Sequence, residues 1–259
     1  MATFDPKSPS IARVYDYVLG GKDNFAADRE LAHRLVTMVP LIPVLARENR
    51  QFLSRAVTWA ANQGIAQFVD LGCGIPTAPN THESARAEIP KAKVVYVDND
   101  PVVVNHLNVL LSKGNPGISV LDSDVRDSTA TLDGIRVNLD LADPVCLVIG
   151  YLLHFFTADA ARELASRYVG ALVPGSCLVL SVLHTESEAA DDSLGTYSSE
   201  AAPVYSHPVP VIESFFDPLE LVPPGAVDAR LWRPGWEDAA RLPARDSQVI
   251  AGVARCPAR

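Results

Sequence analysis

Phe68-Val69-Asp70-Leu71-Gly72-Cys73-Gly74 is followed, one short segment later, by Val94-Val95-Tyr96-Val97-Asp98. Each run is apolar and carries an acid at or near its end, and Asp70 leads into a tight glycine turn. Apolar runs of this length read as buried strands of a parallel sheet. Acids and a glycine turn at their carboxyl ends are the means by which such a sheet holds a nucleoside-bearing cofactor.

Asp70 narrows the cofactor. It stands two residues before Gly72, at the mouth of the turn where a dinucleotide enzyme seats a pyrophosphate, and a carboxylate there repels phosphate. The loop continues Gly72-Cys73-Gly74-Ile75-Pro76-Thr77, without the third glycine of G-x-G-x-x-G that lets the helix pack close to the strand. Both features disfavour a nicotinamide oxidoreductase. They favour a ligand with positive charge and no phosphate, such as the ammonium and sulfonium of S-adenosylmethionine, with Asp98 accepting from both ribose hydroxyls.

The chain has 259 residues, 48% of them hydrophobic and 20% charged, a globular composition long enough for one large α/β domain. The longest apolar run, residues 145–156, is too short to cross a bilayer. The N-terminus lacks the basic region and apolar core of an export signal, so a cytoplasmic location and no membrane partner are expected. Cys73, Cys146, Cys177 and Cys256 are widely spaced, three of them within apolar strand patterns, which predicts reduced thiols rather than a disulfide set or zinc site. A formal net charge of −9 argues against a nucleic-acid backbone as partner and points to a small-molecule or protein acceptor. Arg29, Arg34, Arg47, Arg50 and Arg55 cluster ahead of the first strand and read as solvated helix faces.

Residues 1–62 are predicted to form a helical cap. Ser10 caps a helix through Leu19, Gly20-Gly21 stops it, and Asp23 or Asn24 caps the next, which runs towards Met38. Pro40 and Pro43 break the chain before an amphipathic helix over residues 46–62. Residues 63–259 alternate strand and helix, with parallel strands at 67–71, 94–98, 118–121, 145–150 and 177–183. Helices fall at 81–88, 102–112, 128–135 and 159–172. Residues 185–210 are polar and proline-bearing and read as a mobile loop or short lid helix. Residues 219–222 and 248–254 read as strands with no helical crossover, their connection holding Trp232-Arg233-Pro234-Gly235-Trp236, which implies an antiparallel hairpin. The expected fold is α/β and Rossmann-like: one domain over 1–259 with a mostly parallel seven-stranded sheet, an antiparallel C-terminal hairpin and the N-terminal cap.

The segment Ser8-Pro9-Ser10-Ile11-Ala12-Arg13-Val14-Tyr15-Asp16-Tyr17-Val18-Leu19-Gly20-Gly21-Lys22-Asp23-Asn24-Phe25-Ala26-Ala27-Asp28 resembles the opening of an actinobacterial family of S-adenosylmethionine-dependent methyltransferases, long carried as a domain of unknown function. Further similar segments are Ala46-Arg47-Glu48-Asn49-Arg50-Gln51-Phe52-Leu53, Tyr96-Val97-Asp98-Asn99-Asp100-Pro101 and Phe215-Phe216-Asp217-Pro218-Leu219-Glu220-Leu221. The resemblance implies a class I fold, S-adenosylmethionine as cofactor, and an acceptor with no general assignment. One departure stands at Gly150-Tyr151, where the family leads one to expect a small residue and Val. Tyr151 is then either particular to this chain's acceptor pocket or a gap filler.

Site roles follow. Gly72 and Gly74 let the backbone approach the methionine part, Asp70 takes its ammonium directly or through water, Asp98 holds the ribose, and Asn99 lies along the adenine or supports the ribose. The resemblance implies that Asp124 accepts from the adenine amino group while the Val125 N–H addresses a ring nitrogen; helix capping is the competing reading of Asp124. Gly150 ends the fourth strand against the cofactor. His154 is the best-placed general base, with a hydrogen-bonded, half-buried histidine as the alternative, and His184 is second. His33, His82, His106 and His207 show no metal-ligand spacing. Tyr15, Tyr17, Asn24 and Phe25 either close over the cofactor, with an aromatic face to the sulfonium, or pack between helices. Arg47 and Asn49 carry the same ambiguity, and the resemblance turns them towards the ligand. The expected activity is methyl transfer to an unidentified small acceptor. The absence of an Asn-Pro-Pro-Tyr motif keeps a cofactor-binding sensor without acceptor chemistry as the alternative.

Overall fold

Five strands with mostly buried side chains form the parallel centre of the computed structural model, which describes residues 4–109, 115–186, 188–233 and 247–257. These are β1 (Gln67–Leu71), β2 (Lys93–Asp98), β3 (Ile118–Asp122), β4 (Val145–Gly150) and β5 (Cys177–Thr185). β1 is buried at every position, as a strand covered on both faces must be. The chain steps outward from β1 to β2 to β3, then returns to lay β4 on the other side of β1, giving the order β3-β2-β1-β4-β5 for the parallel strands. The connections from β1 and β4 therefore leave towards opposite edges of the sheet, and such a switch point opens a crevice for a ligand.

Antiparallel strands complete the sheet. β8 (Ser247–Arg255) pairs along all of β5. The outer strand expected over 219–222 is β6 (Glu220–Leu221), and a further short strand, β7 (Val227–Asp228), also pairs with β8. That extra strand makes eight where seven were expected. The Pro223-Pro224-Gly225 turn separates the two: prolines cannot donate to the ladder, and Gly225 takes a left-handed φ of 99°. Pro234, Gly235 and Trp236, and the end of the helix expected over 102–112, lie outside the described residues.

Helices cover both faces. On one side α3 (Ile42–Asn62), α4 (Thr81–Arg86) and α5 (Pro101–Leu107) bury Phe52, Ala85 and Leu107 against Phe68, Val94 and Val148. On the other, α6 (Ser128–Asn138) and α7 (Ala158–Val169) bury Ile135, Leu164 and Tyr168 against Val69, Val95 and Leu147. Each large apolar side chain fully removed from water contributes up to about 1.5–3 kcal/mol, so these two layers hold the sheet. α1 (Ile11–Val18) and α2 (Ala26–Met38) form a smaller cluster through Val14, Leu31, Ala32 and Leu35.

Local chemistry in the cap differs from expectation. Neither Asp23 nor Asn24 caps α2; its N-cap is Phe25, whose N–H donates to Asp28 at 2.7 Å. Ser10 precedes α1 without capping it through its side chain. Its hydroxyl donates instead to Asp100 at 2.6 Å, and its N–H donates to Asp28 at 3.0 Å. α3 begins at Ile42, four residues before the expected start, because Pro43 sits in the first turn, where a missing N–H has no helical partner to lose. Within 185–210 the chain forms α8 (Glu188–Glu200), which packs on α2, and α9 (Val209–Glu213) follows. No helix among the described residues is long and apolar enough to cross a membrane.

Candidate functional site

At the carboxyl edge of the sheet lies a cavity of about 710 Å³, floored by the ends of β1, β2, β4 and β5 and roofed by α1, α2, the start of α3 and α8. Its polar end begins at the glycine turn. Gly72 and Gly74 have φ of 64° and 68°, a region in which a side chain is strained. A Cβ at Gly72 would stand 2.8 Å from a methyl of Leu152, whereas one at Gly74 would meet nothing within 4 Å. Gly72 N–H donates to the Val97 carbonyl at 2.8 Å, which fixes the turn to β2.

Asp98 completes that connection. One carboxylate oxygen accepts from Gly74 N–H at 2.9 Å and the other from Asp100 N–H at 3.0 Å. Burial raises its pKa, against the lowering effect of those N–H donors. Asp70 lies behind the turn, outside the cavity lining, and accepts from the Thr81 hydroxyl at 2.5 Å. Burial pushes its carboxyl up to about 6, while the Thr81 bond and the field of Arg50 pull the other way. Arg50 gives hydrogen bonds to the carbonyls of Thr77 and Pro79. Two buried carboxylates beside an open backbone turn suit a ligand with hydroxyl donors and positive charge, so these residues fit S-adenosylmethionine.

The remaining predicted cofactor residues separate. Asn99 is exposed, lines the cavity and hydrogen-bonds towards Asp124. Asp124 is gripped by Arg126 Nε at 2.9 and 3.0 Å, a pairing that lowers its pKa. Neither Asp124 nor Val125 lines the cavity. The Val125 side chain is in the core, and its carbonyl accepts from Tyr168 at 2.8 Å. Gly150 has a packing role: a Cβ there would stand 2.8 Å from a methyl of Leu53 on α3.

Of the cap residues expected at the cofactor, only Tyr15 lines the cavity. Its hydroxyl donates to Ala46 O at 3.1 Å and accepts from Asn49 Nδ2 at 2.9 Å. Asn49 is 1% exposed and also accepts from the Ser181 hydroxyl at 2.7 Å. It therefore joins α1, α3 and β5 and positions Tyr15, rather than facing the cavity. Tyr17 pairs with His33 Nε2 at 2.7 Å, and Asn24 donates to Asp16 at 2.8 Å. Phe25 sits with Phe4 around the Arg13 guanidinium, and Arg47 is exposed.

At the other end, Tyr151 takes a φ of 57°, a conformation that costs a bulky residue about 1–3 kcal/mol and clusters at functional sites. Its N–H donates to the Ser181 carbonyl at 2.9 Å and hydroxyl at 3.0 Å. His154 follows on a short 3-10 turn, with its ring centroid 4.5 Å from that of Tyr151. Its Nδ1 is buried without a hydrogen-bond partner, and burial lowers its pKa to about 3. The imidazole is thus neutral with a vacant ring nitrogen. His184, the second candidate base, lies outside the cavity lining; its Nδ1 meets the His207 carbonyl at 2.9 Å.

Sequence reasoning missed Cys73, Asp100, Leu183, Thr185 and Tyr197, all of which line the cavity. Leu183 and Thr185 stand at or beside the end of β5, so the rule that ligands meet strand carboxyl ends could have found them. Tyr197 carried no signal, since its segment reads as polar loop. Among the described residues, no group of three or more His, Cys, Asp or Glu is placed to hold a metal ion.

The crystal structure of a methyltransferase candidate from Thermobifida fusca YX matches with a TM-score of 0.91 at 38% identity, covering 97% of this chain and 96% of that one. A DUF574 family protein from Streptomyces avermitilis MA-4680 matches with a TM-score of 0.90 at 35% identity, covering 98% and 99%. The carboxy-S-adenosyl-L-methionine synthase of Photobacterium profundum is 25% identical over 120 residues, 45% of this chain and 43% of that protein, so the match spans less than half of that relative's length. The model of the S-adenosyl methyltransferase family matches residues 1–257. With a glycine turn between two buried carboxylates at the switch point of its sheet, and that match along nearly its whole length, the chain belongs to the S-adenosyl methyltransferase family.

Proposed function

We propose that the protein methylates a small-molecule acceptor enclosed with the cofactor in the cavity at the carboxyl edge of the sheet. The supporting observation is that this cavity runs from the glycine turn and Asp98 to Tyr151 and His154 under one helical roof. When bound, S-adenosylmethionine supplies an electrophilic methyl group on a sulfonium. The chain's residues then have positioning work to do, because an in-line displacement gains most from near-attack geometry and exclusion of water. Asp98 accepts the ribose hydroxyls while keeping Gly74 N–H in place, and Asp70 supplies negative potential behind the turn. Asn99 lies along the adenine. Tyr15 and Tyr151, whose rings stand 5.6 Å apart, shield the reacting end and present aromatic faces to a cation. His154 Nδ1 receives the acceptor's proton.

Calorimetry with S-adenosylmethionine, S-adenosylhomocysteine and NAD tests the cofactor half, and binding of NAD alone would overturn it. Incubation with S-adenosylmethionine and varied cell extracts tests the acceptor half. Release of S-adenosylhomocysteine is expected, and binding without turnover in every extract would reduce the protein to a sensor.

A further inference from the structure

The sheet order sets four carboxyl ends in the row β2, β1, β4, β5, neighbours about 4.8 Å apart, so the cavity has two ends with different chemistry. Its charged lining residues are Asp5, Arg13, Asp98 and Asp100. Asp98 and Asp100 belong to the end of β2, and the Ser10 hydroxyl ties the segment bearing Asp5 and Arg13 to Asp100. Arg13 is neutralised by Asp28 at 3.0 Å. Among the described residues the β4–β5 end has no charged lining residue; Leu183 comes from β5 and Leu194 from α8, with Leu35, Val39 and Ile42 from the cap above. A charged ligand placed there would lose its hydration without gaining a counter-charge.

Rings form a continuous wall along that end. Tyr15, Tyr151, His154, Phe155 and Tyr197 follow one another with centroid separations of 5.6, 4.5, 4.3 and 6.1 Å, and all five line the cavity. Such a wall favours a flat π-bearing partner. Within it, His154 is 2% exposed and its Nδ1, with almost no accessible surface, is left without a partner; a turn of the ring towards the cavity would let a ligand hydroxyl satisfy it.

We propose that the methyl acceptor is an uncharged aromatic hydroxyl compound, seated at the β4–β5 end with its hydroxyl hydrogen-bonded to His154 Nδ1. The inference rests on the methyl-transfer reading above. In the step, a lone pair of the hydroxyl oxygen forms the O–CH3 bond as the S–CH3 bond breaks, and the electron pair of that bond stays on sulfur as the neutral sulfide. The hydroxyl proton passes to Nδ1 and then to solvent. A weakly basic imidazole suffices, because an oxygen acquiring a methyl group while still protonated is a far stronger acid than any imidazolium.

The test uses the full chain saturated with S-adenosylhomocysteine, titrated calorimetrically with phenol, naphthol and hydroxyflavone and with benzoate, naphthoate and benzylammonium. At least one neutral hydroxyarene should bind more than about tenfold tighter than every charged compound, and should yield its methyl ether when S-adenosylmethionine is supplied. Equal or tighter binding of the charged compounds, or no binding of any neutral one, overturns the acceptor class and leaves methyl transfer standing. Failure of S-adenosylhomocysteine itself to bind overturns both. His154→Phe should keep S-adenosylhomocysteine affinity and weaken hydroxyarene binding about tenfold; unchanged hydroxyarene binding removes His154 from the proposal. His154→Gln keeps a hydrogen-bonding group and serves if His154→Phe does not fold. It should preserve binding and slow methyl ether formation about a hundredfold, and an undiminished rate overturns the proton-acceptor role.

Discussion

At the β2–β1 end of the cavity, two neighbouring strand ends are joined by short hydrogen bonds from backbone N–H groups: Gly72 to the Val97 carbonyl, Gly74 and Asp100 to the Asp98 carboxylate. At the β4–β5 end and in the roof above it, the joints are made between side chains: Asn49 with Ser181 and Tyr15 with Asn49. The first construction fixes atoms that every member of a cofactor-using fold must hold. The second leaves lining residues free to vary, provided that a few long-range polar joints keep the helices in place. Binding energy should therefore concentrate at one end and structural dependence at the other.

The largest effect that would break this contrast lies in the roof. Asp28 is fully buried, pairs with Arg13, and accepts from the N–H groups of Ser10 and Phe25. Asp28→Ala strands a buried guanidinium and should cost about 3–5 kcal/mol of stability in urea unfolding; a cost below about 1 kcal/mol would mean that the roof does not depend on such joints. Next comes Asp98→Ala, expected to weaken S-adenosylhomocysteine binding at least about a hundredfold, nearly 3 kcal/mol, while lowering stability by only about 1 kcal/mol. Unchanged affinity would remove Asp98 from the cofactor.

The glycines sharpen the comparison within one loop. Gly72→Ala meets both a left-handed φ and the Leu152 methyl at 2.8 Å, and should cost about 2–3 kcal/mol. Gly74→Ala meets only the φ and should cost about 1–2 kcal/mol. Equal losses in thermal or urea unfolding would mean that Leu152 moves aside.

The last effect appears only as pH rises. Asp70 has a carboxyl pKa raised by burial from 3.8 to about 6, so the folded state holds its proton more tightly than the unfolded chain. That contribution to stability is complete below about pH 4 and lost as pH rises through about 6. Asp70→Asn keeps an acceptor for Thr81 and should be more stable than the parent by about 3 kcal/mol above pH 7. The difference should vanish below pH 4, and a pH-independent difference would place its cause elsewhere. Its affinity for S-adenosylhomocysteine should fall.

Strand legibility follows from the same contrast. β1 and β4 begin and end where the apolar runs do, because a strand buried on both faces leaves a continuous signal. Asp98 and the glycine turn were legible for a related reason: each stands at the carboxyl end of an apolar run, and adjacent parallel strands bring those ends together. Asn49, Asn24 and Tyr17 were assigned to the cofactor, yet their polar atoms are engaged by Ser181, Asp16 and His33. Nothing local announces such partners. α8 was ambiguous because its stability comes from docking on α2 rather than from an apolar stripe of its own. β7 is two residues long and lies beyond the Pro223-Pro224-Gly225 turn, too short to leave an apolar run in the sequence.

The joint between Asn49 and Ser181 spans 132 residues. During synthesis, which proceeds from the N-terminus, the cap helices are made first, but Ser181 does not exist until the whole parallel sheet has been translated. Until then Asn49 Oδ1 lacks its donor and α3 lacks part of the sheet that covers it. The N-terminal part of the roof is accordingly made before the sheet and seated after it, and contacts so remote in sequence are slow to form. The nascent protein thus depends on holding an amphipathic N-terminal segment in solution without a fixed place to dock.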